Sequence, residues 1–150
     1  MGNDVGMGTI VVGVDGSAPS KAALNWAVQE AKLRGSDLHI VVSWDFPVVA
    51  TAEPMIMPTP DTDALVDNAK TIAAEMIATE HLEGSGVPYT VETPEGRPGE
   101  ELVTAAKHAE LLVVGSYGSG PLKELLLGSV SSYCAHHSAC PVVLVRTPEK

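Results

Sequence analysis

The amino-acid sequence predicts an α/β fold made of a single doubly wound, five-stranded parallel sheet with helices on both faces. Five short runs rich in β-branched residues alternate with longer segments that carry apolar residues at helical spacing. The runs are apolar throughout, which is typical of strands buried on both faces. This alternation favours parallel strands joined by right-handed crossovers, and we expect the strand order 3-2-1-4-5.

The first strand is predicted over Thr9 to Val14, where a β-branched run leads into an Asp-Gly-Ser turn. A helix follows directly, because either Ser17 or Ser20 can cap it and Pro19 suits its first turn. Its apolar residues recur at helical spacing until Gly35 ends the segment.

The second strand, Leu38 to Trp44, leads into a long proline-rich loop over residues 45–60. The prolines of this loop exclude a regular helix and make a central strand implausible. The loop either packs on its own domain or closes over a ligand, and the sequence leaves both alternatives open.

The rest of the chain continues the alternation of helices and strands. We predict a helix from Asp61 or Thr62 to about Glu83, a strand from Val87 to Glu92, a helix after Arg97-Pro98-Gly99, a strand from Leu111 to Val114, a loop over 116–127, a short helix at about 129–137 and a last strand from Val142 to Arg146. No internal repeat is visible. We expect a single domain over residues 1–150, with a flexible N-terminus at residues 1–8.

The charge of the chain restricts its partners. The formal net charge is -10 and the sequence pI is about 4.7. A broad nucleic-acid interface is not expected, because phosphate backbones demand clustered Lys and Arg. A phosphate ligand would have to be held by oriented main-chain N–H groups and a cation.

The cysteine count and the apolar runs indicate a cytoplasmic protein. Only Cys134 and Cys140 occur, and the N-terminal residues carry neither a basic region nor an apolar signal core. No apolar run approaches the ~20 residues that cross a bilayer, so we expect no membrane partner. A zinc site at Cys134 and His137, one helical turn apart, is disfavoured, because the adjacent histidines point to different sides of the helix and the stretch is better explained as the exposed end of the last helix.

A ligand cleft is expected at the carboxyl ends of the first and fourth strands, where the strand order reverses. The turn at Asp15 and the segment beginning at Gly115 would face each other across it. Gly115 is followed by Gly118 and, after nine intervening residues, by Gly128 and Ser129 at the start of a helix. The glycines allow a close approach of the main chain, and the helix start offers free N–H groups to phosphates.

These residues resemble the universal stress protein family, whose ATP-binding members carry a G-x2-G-x9-G-[S/T] motif after the fourth strand. The resemblance extends to Val11–Ser17, Leu111–Gly115 and Cys140–Arg146, and it is weakest in the proline-rich loop. It implies a Rossmann-like fold shared with adenine nucleotide alpha hydrolases, an ATP ligand with Mg²⁺ or Mn²⁺ held through its phosphates, and a homodimer formed through Val142–Arg146. It also implies a set of nucleotide-binding residues: Gly13, Val14, Asp15, Ser43, Val114, Gly115, Gly118, Gly128, Ser129, Val130 and Ser131.

Other interpretations remain open at several of these positions. Asp15 is equally explained as part of a helix N-terminal cap with Ser17, and Ser129 as an N-cap. No Gly-Lys-Ser/Thr sequence occurs, so efficient ATP turnover is not predicted, and no catalytic residue stands out. Alternatives to an ATP-binding module are a slow ATP-hydrolysing enzyme, a domain that prefers AMP or a cyclic nucleotide, and an interaction domain without nucleotide.

Overall fold

The computed structural model describes residues 8–45, 61–117 and 127–147, and it confirms the predicted α/β fold. Five parallel strands form one sheet in the order 3-2-1-4-5. The strands are β1 (Thr9–Gly13), β2 (Asp37–Val41), β3 (Tyr89–Glu92), β4 (Leu111–Gly115) and β5 (Val142–Val145). The helices are α1 (Ala18–Arg34), α2 (Thr62–Thr79), α3 (Pro98–Ala105) and α4 (Ser129–His137), with a short 3-10 helix at Leu82–Gly84.

Each face of the sheet carries its own pair of helices. Buried residues of α1 and α2 pack against one face together with Ile10, Val12 and Ile40. Buried residues of α3 and α4 pack against the other face together with Val11 and Leu112. Because successive side chains of a strand point to opposite faces, the uniformly apolar strands supply both cores.

Helix α1 begins and ends at the predicted signals. Ser17 is its N-cap, and the Ser17 hydroxyl accepts a hydrogen bond from the Ser20 N–H at 3.3 Å. At the other end Gly35 adopts a left-handed conformation, with a φ of 67°, and its N–H donates to the Ala31 carbonyl. Of the two predicted caps, Ser17 is therefore the one used.

The second helix ends earlier than predicted. The sequence indicated a helix to about Glu83, whereas α2 ends at Thr79. His81 has a φ of 54°, which is incompatible with a right-handed helix, and the chain then turns so that Leu82 is buried at 1% exposure. No glycine or proline marks this position, so the sequence offered no stop signal before Gly84.

Strand ends also differ by a few residues. β2 ends at Val41, although Trp44 continues the extended path and bridges in parallel to Glu95. β3 begins at Tyr89, two residues after the predicted start at Val87. At the amino end of the sheet, the Gly8 carbonyl accepts a hydrogen bond from the Asp37 N–H at 2.9 Å. Residues 1–7 of the predicted N-terminus and residues 46–60 of the predicted loop lie outside the described part of the chain. None of the described helices is long and apolar enough to span a membrane.

The thiol of Cys134 should make the stability of the fold decline in alkaline solution. Cys134 on α4 is 0% exposed, and burial raises the pKa of its thiol from 9.0 to about 11. Between about pH 9 and pH 11 the unfolded chain releases this proton while the native chain retains it. We expect the free energy of unfolding to fall by on the order of 2–3 kcal/mol across that window.

Urea denaturation at pH 8 and pH 10.5 measures this contribution, with Cys134→Ala as the matched control. Other groups titrate in the same range, but they are common to both proteins and cancel in the comparison. The wild-type protein should lose more stability than the variant on going to pH 10.5. An equal loss in the two proteins would show that the Cys134 thiol does not titrate as its burial requires.

Candidate functional site

A cleft opens where the sequence predicted it, because β1 and β4 separate before their other pairings end. β1 pairs with β4 only as far as Val12 and Val113. β1 stays paired with β2 to Gly13 and Val41, and β4 stays paired with β5 to Gly115 and Val145. The two central strands therefore part at their carboxyl ends while each remains attached to its outer neighbour.

One wall of the cleft is the turn that follows β1. The Val14 N–H donates to the Val41 carbonyl at 3.0 Å, and this is the last main-chain bond of β1 with β2. Oδ1 of the exposed Asp15 accepts from the Ser17 N–H at 2.9 Å, and Gly16 has a φ of 85°. The helix-start role of Asp15 is thus present, and its second carboxylate oxygen has no protein partner within the described residues.

The other wall begins at Gly115, where the structure gives a packing reason for glycine. A Cβ at this position would lie 2.8 Å from the Pro19 Cβ and 2.9 Å from the Pro19 carbonyl carbon and oxygen. Such distances are too short for any side chain, so the missing Cβ lets the first turn of α1 lie against β4. The sequence had assigned this glycine to the approach of a ligand.

Ser116 connects the wall formed by β4 to the start of α4. Its N–H donates to the Val145 carbonyl on β5 at 2.9 Å. Its carbonyl accepts from the Gly128 N–H and from the Ser131 hydroxyl, each at 2.8 Å. Ser116 and Ser131 are 2% and 1% exposed, so these bonds are shielded from water. They hold the N-terminus of α4 at the carboxyl edge of the sheet.

The first turn of α4 presents unused donors. Its N-cap, Gly128, has no side chain to satisfy the helix amides, in contrast to Ser17 at the start of α1. The N–H groups of Ser129, Val130 and Ser131 have no acceptor among the residues that the structure describes. Three main-chain donors and the positive end of a helix dipole therefore lie at the cleft.

Ser43 supplies a further pair of unused main-chain groups. On either side of it, the Val42 N–H donates to the Glu92 carbonyl and the Trp44 N–H to the Pro94 carbonyl, each at 3.0 Å. In an extended strand the intervening residue faces the opposite neighbour, which here is β1. Because β1 has already turned away, the Ser43 N–H and carbonyl find no protein partner in the described ranges.

The remaining predicted site residues contribute main chain at most. A Cβ at Gly13 would lie 2.6 Å from Leu102 Cδ1 of α3, and the Val114 side chain is buried in the α3 and α4 core at 3% exposure. The Gly128 N–H and the Ser131 hydroxyl are already bonded to Ser116. Gly118 lies outside the described residues.

Cation ligands are sparse near the cleft. Within residues 8–45, 61–117 and 127–147, no three His, Cys, Asp or Glu side chains come together as a metal site would require. At the C-terminus of α4, the Tyr133 and His137 rings are in tilted contact, with centroids 4.3 Å apart, and the buried Cys134 thiol keeps its proton at neutral pH. A metal at the cleft would depend on Asp15 and on oxygens of a ligand.

Sequence reasoning missed Ser116 and treated Ser20 only as an alternative cap. Ser20 is 5% exposed, and its hydroxyl donates to the Ser17 carbonyl at 2.9 Å and accepts from the Asp15 N–H at 3.3 Å. The only signal in the sequence is the spacing of three between Ser17 and Ser20, which brings both side chains to one helix turn. Nothing in the sequence around Ser116 indicates its three hydrogen bonds.

Comparisons with known proteins agree with this architecture. The model of the universal stress protein family matches residues 7–146 of this chain. Universal stress protein Rv2005c of Mycobacterium tuberculosis is 35% identical over 137 residues, which make up 91% of this chain and 45% of that protein. This chain thus spans about half the length of the curated relatives it matches.

Solved structures show the same fold. A universal stress protein crystallised in complex with cAMP is 28% identical, with a TM-score of 0.67 and coverage of 94% of this chain and 98% of that one. The universal stress protein UspA from Lactobacillus plantarum is 24% identical, with a TM-score of 0.70 over 93% of this chain and 97% of its own. The family model, which matches nearly the whole chain, confirms the resemblance: the chain belongs to the universal stress protein family.

Proposed function

We propose that this chain binds an adenine nucleotide, with ATP as its preferred ligand, and acts in the cytoplasm as a stress-response module governed by nucleotide occupancy. The observation that carries the proposal is the N-terminus of α4. Its first three N–H groups are unpaired within the described residues and lie beside the opening between β1 and β4. Three unpaired main-chain donors lie close together at the edge where the strand order reverses, and such a helix N-terminus is a suitable binding site for phosphates.

Neutral donors suit the acidic character of the protein. At a net charge of -10, long-range attraction cannot bring a polyphosphate to the cleft. Oriented amides and a helix dipole act over short distances and need no cationic side chain. The Ser129 hydroxyl, on an exposed residue, adds a fourth donor.

A divalent cation fits beside these donors. Asp15 on the opposite wall would repel a bare triphosphate, and one of its carboxylate oxygens has no protein partner among the described residues. Asp15 would hold Mg²⁺ or Mn²⁺ together with phosphate oxygens of the nucleotide, since these cations prefer oxygen ligands. When bound, the cation offsets the charge of both groups.

The unpaired main chain of Ser43 supports a base at the other end of the cleft. An N–H donor next to a carbonyl acceptor matches the alternating donor and acceptor edge of adenine. The relative that is 28% identical was solved with cAMP, which supports the adenine nucleotides as the ligand class. The first turn of α4 offers three consecutive N–H groups without a protein acceptor in the described residues, enough for more than one phosphate group. This favours a polyphosphate within that class.

Isothermal titration of the purified chain tests the proposal. ATP, ADP, AMP, cAMP and GTP are compared with and without Mg²⁺, after removal of any copurified ligand. We expect ATP with Mg²⁺ to bind at least tenfold more tightly than GTP. Tighter binding of AMP or cAMP would keep the ligand class and replace ATP, whereas no binding of any adenine nucleotide would end the proposal. ATP turnover above about 1 per second would indicate an enzyme instead.

We also propose a homodimer formed through Val142–Arg146, which includes β5. Among the described strands β5 pairs with β4 alone, through the carbonyls of Pro141 and Val145. By the alternation of a strand, the main-chain groups of Val142, Leu144 and Arg146 point to the outer side. An unpaired edge with half-buried apolar side chains favours pairing with a second copy.

The dimer should be weakened when one outward N–H of this edge is removed. Arg146→Pro deletes the N–H and the side chain, whereas Arg146→Ala deletes the side chain only. Val145 is extended, so it tolerates a following proline. In sedimentation equilibrium we expect the dimer of the proline variant to dissociate at a concentration at least tenfold higher than that of the alanine variant. Equal dissociation constants, or a monomeric wild-type protein, would contradict pairing through this edge.

A further inference from the structure

Ser20 contacts both ends of the turn that forms one wall of the cleft. It is 5% exposed at the third position of α1. Its hydroxyl donates to the Ser17 carbonyl at 2.9 Å and accepts from the Asp15 N–H at 3.3 Å, while its own N–H donates to the Ser17 hydroxyl at 3.3 Å. One buried side chain thereby joins the start of the turn to its end.

The main chain of Asp15 depends on this contact. Asp15 is the first residue after the last hydrogen bond of β1 with β2, which the Val14 N–H makes. Within the described residues, the Asp15 N–H donates to the Ser20 hydroxyl and to no other acceptor. The next residue, Gly16, has a φ of 85°, which allows the chain to turn sharply and gives it freedom to move.

The same helix turn lies against the opposite wall. Pro19, the neighbour of Ser20, packs on Gly115 at the end of β4 so closely that no Cβ would fit between them. Ser116, which follows, holds the start of α4. The first turn of α1 is therefore in contact with the Asp15 turn through Ser20 and with the α4 side of the cleft through Pro19.

We propose that Ser20 is a positioning residue of the nucleotide site: its buried hydroxyl fixes the main chain of Asp15, and with it the direction in which the Asp15 carboxylate faces the cation and the phosphates. This inference rests on the proposed function. Ser20 does not touch the ligand, and it acts through Asp15 alone.

Removal of the hydroxyl by Ser20→Ala should have two effects. Native-state hydrogen exchange of the Asp15 amide should accelerate at least tenfold, because its protein acceptor is gone. The dissociation constant for ATP with Mg²⁺ should rise about three- to tenfold. Ser20→Thr keeps a hydroxyl at the position. Its Asp15 amide exchange and its dissociation constant for ATP should therefore be close to those of the wild type.

Ser17→Ala is the matched control. It removes the N-cap hydroxyl of the same helix, and with it the acceptor of the Ser20 N–H, but leaves the bond between Ser20 and Asp15. We expect its ATP affinity to stay within twofold of the wild type, although the start of α1 is loosened. A similar loss of affinity in Ser17→Ala and Ser20→Ala would show that helix stability, rather than the position of Asp15, matters.

A double-mutant cycle with Asp15→Ala separates positioning from general damage. If Ser20 acts through Asp15, Ser20→Ala should cost no further affinity once the Asp15 carboxylate is absent. Full additivity of the two losses would overturn the inference, and so would an unchanged affinity in folded Ser20→Ala. A wild-type protein that binds no adenine nucleotide would instead overturn the proposed function, and the exchange of the Asp15 amide would still report whether Ser20 holds that turn.

Discussion

Replacing Ser129 with proline should weaken ATP binding at least tenfold more than replacing it with alanine. Ser129 is the first residue of α4, and its N–H has no acceptor among the described residues. Alanine removes only the hydroxyl, whereas proline also removes the N–H. A hydrogen bond from an amide to a charged phosphate is worth about 1.5–3 kcal/mol, which corresponds to roughly 10- to 100-fold in the dissociation constant.

The proline variant should fold normally. Proline is favoured at the first position of a helix, where its missing N–H has no helical acceptor and its φ is already suitable. Gly128 has a φ of -68° and a ψ of 167°, the extended conformation that a residue before proline requires. The fold already uses the same arrangement at α3, which begins with Pro98. Circular dichroism and urea denaturation of both variants check that α4 is retained.

Titration of the two variants with ATP and Mg²⁺ decides the role of this amide. Their ratio isolates the N–H, because the hydroxyl is missing from both. A proline variant that is folded and binds ATP as tightly as the alanine variant would remove the start of α4 from the phosphate site. In that case the proposal would lose the observation that carries it.

The fold could be predicted because its signals are local and repeated. Five apolar runs and the helical spacing between them determined the architecture, and Ser17 and Gly35 marked both ends of α1. The prediction failed where a stop had no such signal. His81, shortly after the end of α2, has a positive φ, a conformation that is uncommon for any residue other than glycine and that its residue type alone does not announce.

The position of the candidate site could be predicted for a different reason. The reversal of strand order follows from the topology, so the turn at Asp15 and the start of α4 at Ser129 had to approach the same edge. What each residue does there could not be read in advance. Ser131 appeared as a ligand contact, yet its hydroxyl is buried and bonded to the Ser116 carbonyl.

The same limit applies to hydrogen bonds between segments distant in sequence. Ser116 joins β5 to the start of α4, and Ser20 joins α1 to the turn after β1. Serine is more common on surfaces and in caps than in such buried contacts, so its residue type did not indicate this role. Only the packing of the elements decides which serine hydroxyls are shielded from water.

Replacing Gly115 with alanine should reduce the free energy of unfolding by about 3 kcal/mol, at the upper end of the usual effect of overpacking a buried site. The new Cβ would lie 2.8 Å from the Pro19 Cβ and 2.9 Å from the Pro19 carbonyl carbon and oxygen. Two of these three atoms belong to the main chain of α1, so no change of rotamer relieves the contact. The first turn of α1 or the end of β4 has to move.

Gly84→Ala is the matched control, because a Cβ there would meet nothing within 4 Å. Urea denaturation should show a change of no more than about 0.5 kcal/mol for this exposed position.

A Gly115→Ala variant as stable as Gly84→Ala would mean that α1 can withdraw from β4 at little cost. The contact between Pro19 and Gly115 would then not hold the two walls of the cleft in register, and ATP affinity, measured on the same variant, should be unchanged as well. Joint loss of stability and affinity is the result we expect, since one close contact supports both the packing of α1 and the width of the cleft.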